Sequence, residues 1–161
     1  MIYSYLESPI GRLLLAGDGS TLQFIRFPSG ARAAGPEPTW RREDGPFEEA
    51  ARQLEEYFAG TRRTFDLPLA PRATPFQGRV LAALQAIPYG ETRSYKDIAV
   101  ALGDPRAVRA VGSANGNNPL PIVIPCHRVI GSDGSLTGFG GGIETKRFLL
   151  ALEADRAGLF A

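Results

Sequence analysis

Up to about residue 70 the apolar residues of this chain fall mostly into short strand-like runs, and from Thr74 onward they recur at helical spacing. That switch confines the chain to a two-part mixed architecture. Ile2 to Leu6, Leu13 to Ala16 and Leu22 to Phe27 are β-prone, divided by turn chemistry at Ser8-Pro9-Ile10-Gly11 and Asp18-Gly19. Pro28 to Gly45, rich in Pro, Gly, Ala and Arg, reads as an exposed connection. Phe47, Ala50, Ala51, Leu54, Tyr57 and Phe58 then mark one helix closed by Gly60, and Phe65, Leu67 and Leu69 alternate as in a further strand. No chemical constellation stands out in this half, which reads as a scaffold.

The second part opens with Thr74-Pro75-Phe76-Gln77, an N-cap followed by proline at the first helical position. Phe76, Val80, Leu81, Leu84 and Ile87 form the apolar stripe of that helix, and Pro88 stops it. Ser94 and Asp97 have the spacing of a capping box and start a second helix running to Gly103. Asp104-Pro105 reads as the start of a third, continuing to about Gly116, so the pair is a helix-turn-helix candidate. The fold class is therefore α/β (α+β), with residues 1–70 as a sheet-and-helix unit and 74–161 as a mainly helical one.

On the third helix Val108 and Val111 should face the core, leaving Arg106, Arg109, Ala110 and Ser113 outward, with Asn115 expected on the same DNA-facing side. Small side chains let a helix backbone approach a groove closely, and arginine can enter the base stack; base-specific readers instead carry Asn, Gln, Arg or Lys aimed at base edges. The pattern suits a protein that grips many sequences and distorts the duplex. An ordinary close-packed helix accounts for the same residues.

Net charge is only +1, which neither requires nor forbids a polyanionic partner. No apolar run approaches the roughly 18 residues of a membrane span, and Met1-Ile2-Tyr3-Ser4-Tyr5 lacks a signal-peptide pattern, so a cytoplasmic protein of bacterial or archaeal type is expected. The chain has one Cys and one His, and they are adjacent: Cys126-His127. A single Cys excludes an internal disulfide, and the pair cannot complete the usual four-ligand zinc site. Neighbours on a regular strand point to opposite faces, so the two can share a site only across a break, which Pro125 supplies. A thiol becomes a nucleophile only beside a base or positive charge; the plain alternative is a buried, inert cysteine.

Pro125-Cys126-His127-Arg128-Val129 resembles the active-site motif of the O6-alkylguanine-DNA alkyltransferase (methylated-DNA–protein-cysteine methyltransferase) family. The resemblance extends over roughly residues 74–153. It takes in Phe76-Gln77, Ile87-Pro88-Tyr89-Gly90, Ser94-Tyr95, residues 107–112, Asn118-Pro119 and Gly140-Gly141-Gly142. It implies a ribonuclease H-like N-terminal unit and a helix-turn-helix C-terminal unit. It also implies irreversible, single-turnover transfer of an alkyl group from O6-alkylguanine in duplex DNA to the protein's own cysteine, with O4-alkylthymine as a second candidate substrate. Base flipping would proceed through the minor groove.

The same resemblance implies roles. Cys126 is the acceptor, His127 its base through a water, and Glu153 the partner of His127. Tyr95 donates to the departing guanine, Asn118 orders the cysteine turn, and Arg109 replaces the extruded nucleotide. Phe139, Gly140, Val129 and Ile130 line the base pocket. Phe139 stands where many members carry Tyr, so stacking is kept and a hydroxyl is lost. Glu153 also stands out in the sequence itself, since it falls between Leu149 and Leu150 inside an apolar arc, although pairing with Arg156 on the helix edge would explain it equally. The protein is expected to act as a monomer on double-stranded DNA without cofactor, metal or membrane, there being no glycine-rich cofactor loop and no second Cys. A lesion sensor on the same fold, a helix-turn-helix regulator and a Cys-His hydrolase are the rivals. They predict no transfer, sequence-specific binding and an oxyanion hole respectively.

Overall fold

The computed structural model describes residues 1–30, 33–137 and 139–156. Strands β1 (Ile2–Ser8), β2 (Gly11–Gly17), β3 (Leu22–Arg26) and β4 (Arg41–Arg42) form one sheet in the order β3-β2-β1-β4. β1 and β2 pair antiparallel across the two-residue Pro9-Ile10 turn, where Ser8 Oγ donates to Gly11 O at 2.6 Å. β2 lies inside the sheet and is buried on both faces from Leu13 to Gly17. The described residues of the connection 28–45 are largely exposed but not wholly irregular, because β4 among them adds a parallel edge to β1.

Helix α1 (Glu48–Phe58) closes as a Schellman motif: Gly60, at φ +78°, donates to Tyr57 O and Thr61 N donates to Glu56 O. The strand expected at 65–69 does not form. Pro68 lacks an N–H, and only Leu69 bridges to the sheet, at Leu22.

Helix α2 (Pro75–Gln85) starts as the sequence predicts, with Thr74 Oγ1 accepting from Gln77 N at 3.1 Å. Helix α3 (Tyr95–Ala101) carries the full Ser94–Asp97 capping box. Helix α4 (Val108–Gly116) begins later than predicted. Asp104 Oδ1 instead accepts from Arg106 N, and Ala107 N closes a turn onto Asp104 O, which leaves Pro105 and Arg106 ahead of the helix. A two-residue parallel pair, β5 (Arg93–Ser94) with β6 (Val129–Ile130), ties the start of α3 to the cysteine segment.

Helix α5 (Ile143–Arg156) buries a stripe of Lys146, Leu149 and Glu153, two charges around one leucine. One hydrophobic core runs through both parts, from Leu13, Leu15 and Leu54 to Val80, Val111, Ile124 and Leu149. The parts meet tightly where a Cβ on Gly141 would lie 2.8 Å from the Phe27 ring and one on Gly30 would lie 2.5 Å from Gly140 O. No helix among the described residues is long and apolar enough to cross a membrane.

Candidate active site around Cys126

The segment before the cysteine is irregular, and Asn118 organises it. Its Nδ2 donates to Ile124 O at 2.8 Å and its Oδ1 accepts from Leu120 N at 3.0 Å. Between them Ile122 is held at φ +75°, a conformation unfavourable for a β-branched residue and kept here by these bonds and full burial. Pro125, at φ −80° and ψ 66°, centres an inverse γ-turn in which Cys126 N donates to Ile124 O at 2.8 Å. This is the break that carries Cys126, His127 and Arg128 out of the extended chain and into a single 3-10 turn.

Cys126, 4% exposed, lies at a cavity of about 460 Å³ that Asn118, Phe139 and Gly140 also line. The opposite wall comes from the N-terminal part, with Phe24, Arg26 and Phe27. The Phe27 and Phe139 rings pack at 5.5 Å between centroids. Val129 and Ile130 do not line this cavity. They form β6, where the Val129 side chain is buried in the core and its carbonyl accepts from Lys146 Nζ at 2.6 Å.

Behind the cysteine, His127 is wholly buried and its Nε2 lies 2.6 Å from Glu153 Oε2. Glu153, 1% exposed, also accepts from Tyr57 Oη at 2.6 Å, from Arg128 Nε at 2.7 Å and Nη2 at 3.1 Å, and from Gly90 N at 3.2 Å. Arg128 is fixed in turn by Ile87 O at 2.7 Å. Burial alone would raise the Glu153 carboxyl, but its bonds and charge contacts with His127 and Arg128 outweigh that and hold it at about 2. Burial pushes His127 below its ordinary value against the pull of Glu153. The imidazole is therefore neutral at pH 7, its proton held on Nε2 by the carboxylate. The remaining lone pair is on Nδ1, which is buried and finds no partner among the protein groups.

Burial lifts the Cys126 thiol to about 11, opposed by the Asn118 side chain and by the charge of Lys146. Such a thiol does not ionise alone at neutral pH. Lys146 is fully buried; besides Val129 O it donates to Thr137 O at 3.2 Å, and its Nζ lies 5.9 Å from the Tyr95 ring. Tyr95 Oη donates to the same Thr137 carbonyl at 3.1 Å. Tyr95 does not line the Cys126 cavity; it stands beside α4, where a Cβ on Gly112 would come within 3.9 Å of its ring.

Arg106, Arg109, Ala110 and Ser113 are all exposed on one side of the turn and α4. Asn115 is not among them. It is 2% exposed and turned inward, its Nδ2 donating to Cys126 O at 3.4 Å, because its position follows Ala114 on the buried face. Three participants escaped the sequence reading: Arg128, Lys146 and Tyr57. Arg128 stood inside the motif and was available as a signal. The burial of Lys146 and the reach of Tyr57 depend on long-range packing that no local pattern reports. Among the described residues no group of three or more His, Cys, Asp or Glu side chains is placed to hold a metal ion.

Residues 75–155 match the family model described as 6-O-methylguanine DNA methyltransferase, DNA binding domain, and residues 1–71 match 6-O-methylguanine DNA methyltransferase, ribonuclease-like domain. The chain belongs to the 6-O-methylguanine DNA methyltransferase family. It is 55% identical over 155 residues to the methylated-DNA–protein-cysteine methyltransferase of Methanosarcina barkeri, covering 96% of this chain and 98% of that one. The Mycobacterium tuberculosis methylated-DNA–protein-cysteine methyltransferase is 53% identical over 156 residues, covering 96% and 93%. The crystal structure of Mycobacterium tuberculosis OGT in complex with DNA has a TM-score of 0.91 at 52% identity, covering 97% of this chain and 94% of that one.

Proposed function

We propose that this protein repairs alkylated DNA by moving the alkyl group from O6 of guanine in a duplex onto Sγ of Cys126, one lesion per molecule. The observation that carries the reading is the buried thiol at the cavity beside a neutral imidazole locked to Glu153. Nδ1 of His127 takes the thiol proton, directly or through a water, and Glu153 stabilises the imidazolium that forms. The thiolate attacks the alkyl carbon; the C–S bond forms as the C–O bond breaks, and the electron pair leaves on guanine. Tyr95, once its hydroxyl exchanges the Thr137 carbonyl for the base, supplies a proton or hydrogen bond to the departing guanine, and the product thioether has no route back to thiol. The DNA-facing surface comprises Arg106, Arg109, Ala110 and Ser113. Arg109 takes the place of a nucleotide rotated out of the stack, while Phe139 and Gly140 flank the base.

Intact-mass spectrometry after incubation with excess duplex containing O6-methylguanine tests this. One methyl increment is expected, on the peptide holding Cys126, and none in Cys126→Ala. Arg109→Ala should slow transfer from the duplex roughly tenfold or more, since unstacking a nucleotide costs a few kcal/mol, and leave transfer from the free O6-methylguanine base unchanged. Lesion binding without a mass change would instead mark a sensor.

A further inference from the structure

The Glu153 carboxylate takes four donor residues from three segments of the chain, and only one of them belongs to the N-terminal part. Tyr57, on α1, is fully buried, and its hydroxyl crosses ninety-six positions of sequence to donate to Oε2, the oxygen that also holds His127. The ring is fixed independently of that bond. It packs against Phe58 at 5.5 Å, Phe65 at 5.6 Å and Tyr89 at 6.2 Å between centroids. The hydroxyl is thus presented to Glu153 by a packed aromatic cluster and not merely accommodated beside it.

We infer that Tyr57 is a positioning residue for alkyl transfer: its hydroxyl pins Glu153 Oε2 against His127 and tempers how strongly that oxygen draws a proton onto the imidazole. The inference rests on the reading of His127 as the base for Cys126. A neutral donor adds no charge to the cluster; it takes up part of the negative charge on Oε2 that would otherwise face the imidazole alone. Burial and the neighbouring Glu153 carboxylate push the Tyr57 hydroxyl well above its ordinary range, so it remains a protonated donor wherever the protein works.

The other charged and titratable groups facing this cluster come from several elements. Arg128 lies in the turn of His127, Tyr89 in the connection between α2 and α3, Arg156 at the end of α5, and Lys146 on α5 toward Cys126. All are retained when only the Tyr57 hydroxyl is removed. Oε2 then has one donor fewer and holds an imidazolium more firmly. His127 takes up a proton at higher pH, before it can accept one from Cys126.

Because His127 is the only histidine, its imidazole can be titrated by NMR without ambiguity of assignment. In Tyr57→Phe the midpoint should rise by roughly half a pH unit or more, as loss of one hydrogen bond to the partner carboxylate implies. The acid limb of the methyl-transfer rate should rise with it. Phe65→Leu, which loosens the same aromatic cluster without touching the hydroxyl, should lower the melting temperature and move neither curve. An unchanged or lowered midpoint in Tyr57→Phe overturns the inference, whatever happens to the rate. If the wild-type protein takes up no methyl group but the midpoint still rises, the coupling of Tyr57 to His127 stands and the repair reading falls.

Discussion

Glu49 and Glu153 are both helical glutamates bonded to arginine, and almost everything else about them differs. Glu49, on α1, pairs with Arg52 three residues on and accepts from Gln53, with its side chain 55% exposed. Glu153, on α5, is shut off from water and draws its partners from α1, from the Gly90 turn and from the cysteine turn. The first arrangement is written in local spacing and stabilises little, because water and salt already solvate both charges. The second exists only when three distant segments have assembled. It costs desolvation, which is offset only while every donor is present. A charge pair in this molecule therefore matters according to how many separate pieces of chain it needs.

The sharpest way to break the contrast is Glu153→Ala, which strands a buried guanidinium and a buried imidazole. The loss of unfolding free energy in urea should be about 3–5 kcal/mol, with methyl transfer abolished or nearly so. Acid should separate the two sites next. The Glu153 carboxyl sits at about 2 in the folded protein against 4.5 for the free group, so its contribution is complete above pH 4.5 and drains away as the pH falls toward 2. His127 adds a loss that begins earlier. Its folded value is below the ordinary 6.5, so under that pH the unfolded chain binds a proton that the native imidazole refuses. Denaturation followed by intrinsic fluorescence across this range should show both phases, largely insensitive to salt. The smallest effect is expected from Glu49→Ala, which should leave the urea midpoint unchanged within error at moderate ionic strength; a clear shift there would remove the distinction between the two glutamates.

Much of the site was legible in the sequence because its signals are local. Cys126-His127 next to Pro125 announced a turn, Thr74 and the Ser94–Asp97 pair announced helix starts, and Glu153 stood out within an apolar arc. Signals that depend on competition between local solutions misled. Asp104-Pro105 fits a helix start, but the aspartate closes a turn first. Phe65, Leu67 and Leu69 alternate like a strand, yet Pro68 removes a ladder donor. What the sequence hid altogether was reciprocal burial. Lys146 reads as a surface lysine until the carbonyls of Val129 and Thr137 are brought to it, and Tyr57 reads as a core aromatic until Glu153 arrives. For the same reason the N-terminal part, which looked like a scaffold, supplies a cavity wall and a donor to the charge cluster.

The position of α5 also bears on protein synthesis. Ribosomes make Tyr57 first, then Gly90, then the Cys126–Arg128 turn, and Glu153 after all of them. Until α5 has emerged and docked, His127 has no carboxylate to fix its tautomer and Lys146 has not reached the carbonyls beside the cysteine. A nascent chain therefore carries its thiol before the charged groups that surround that thiol in the folded protein are in place.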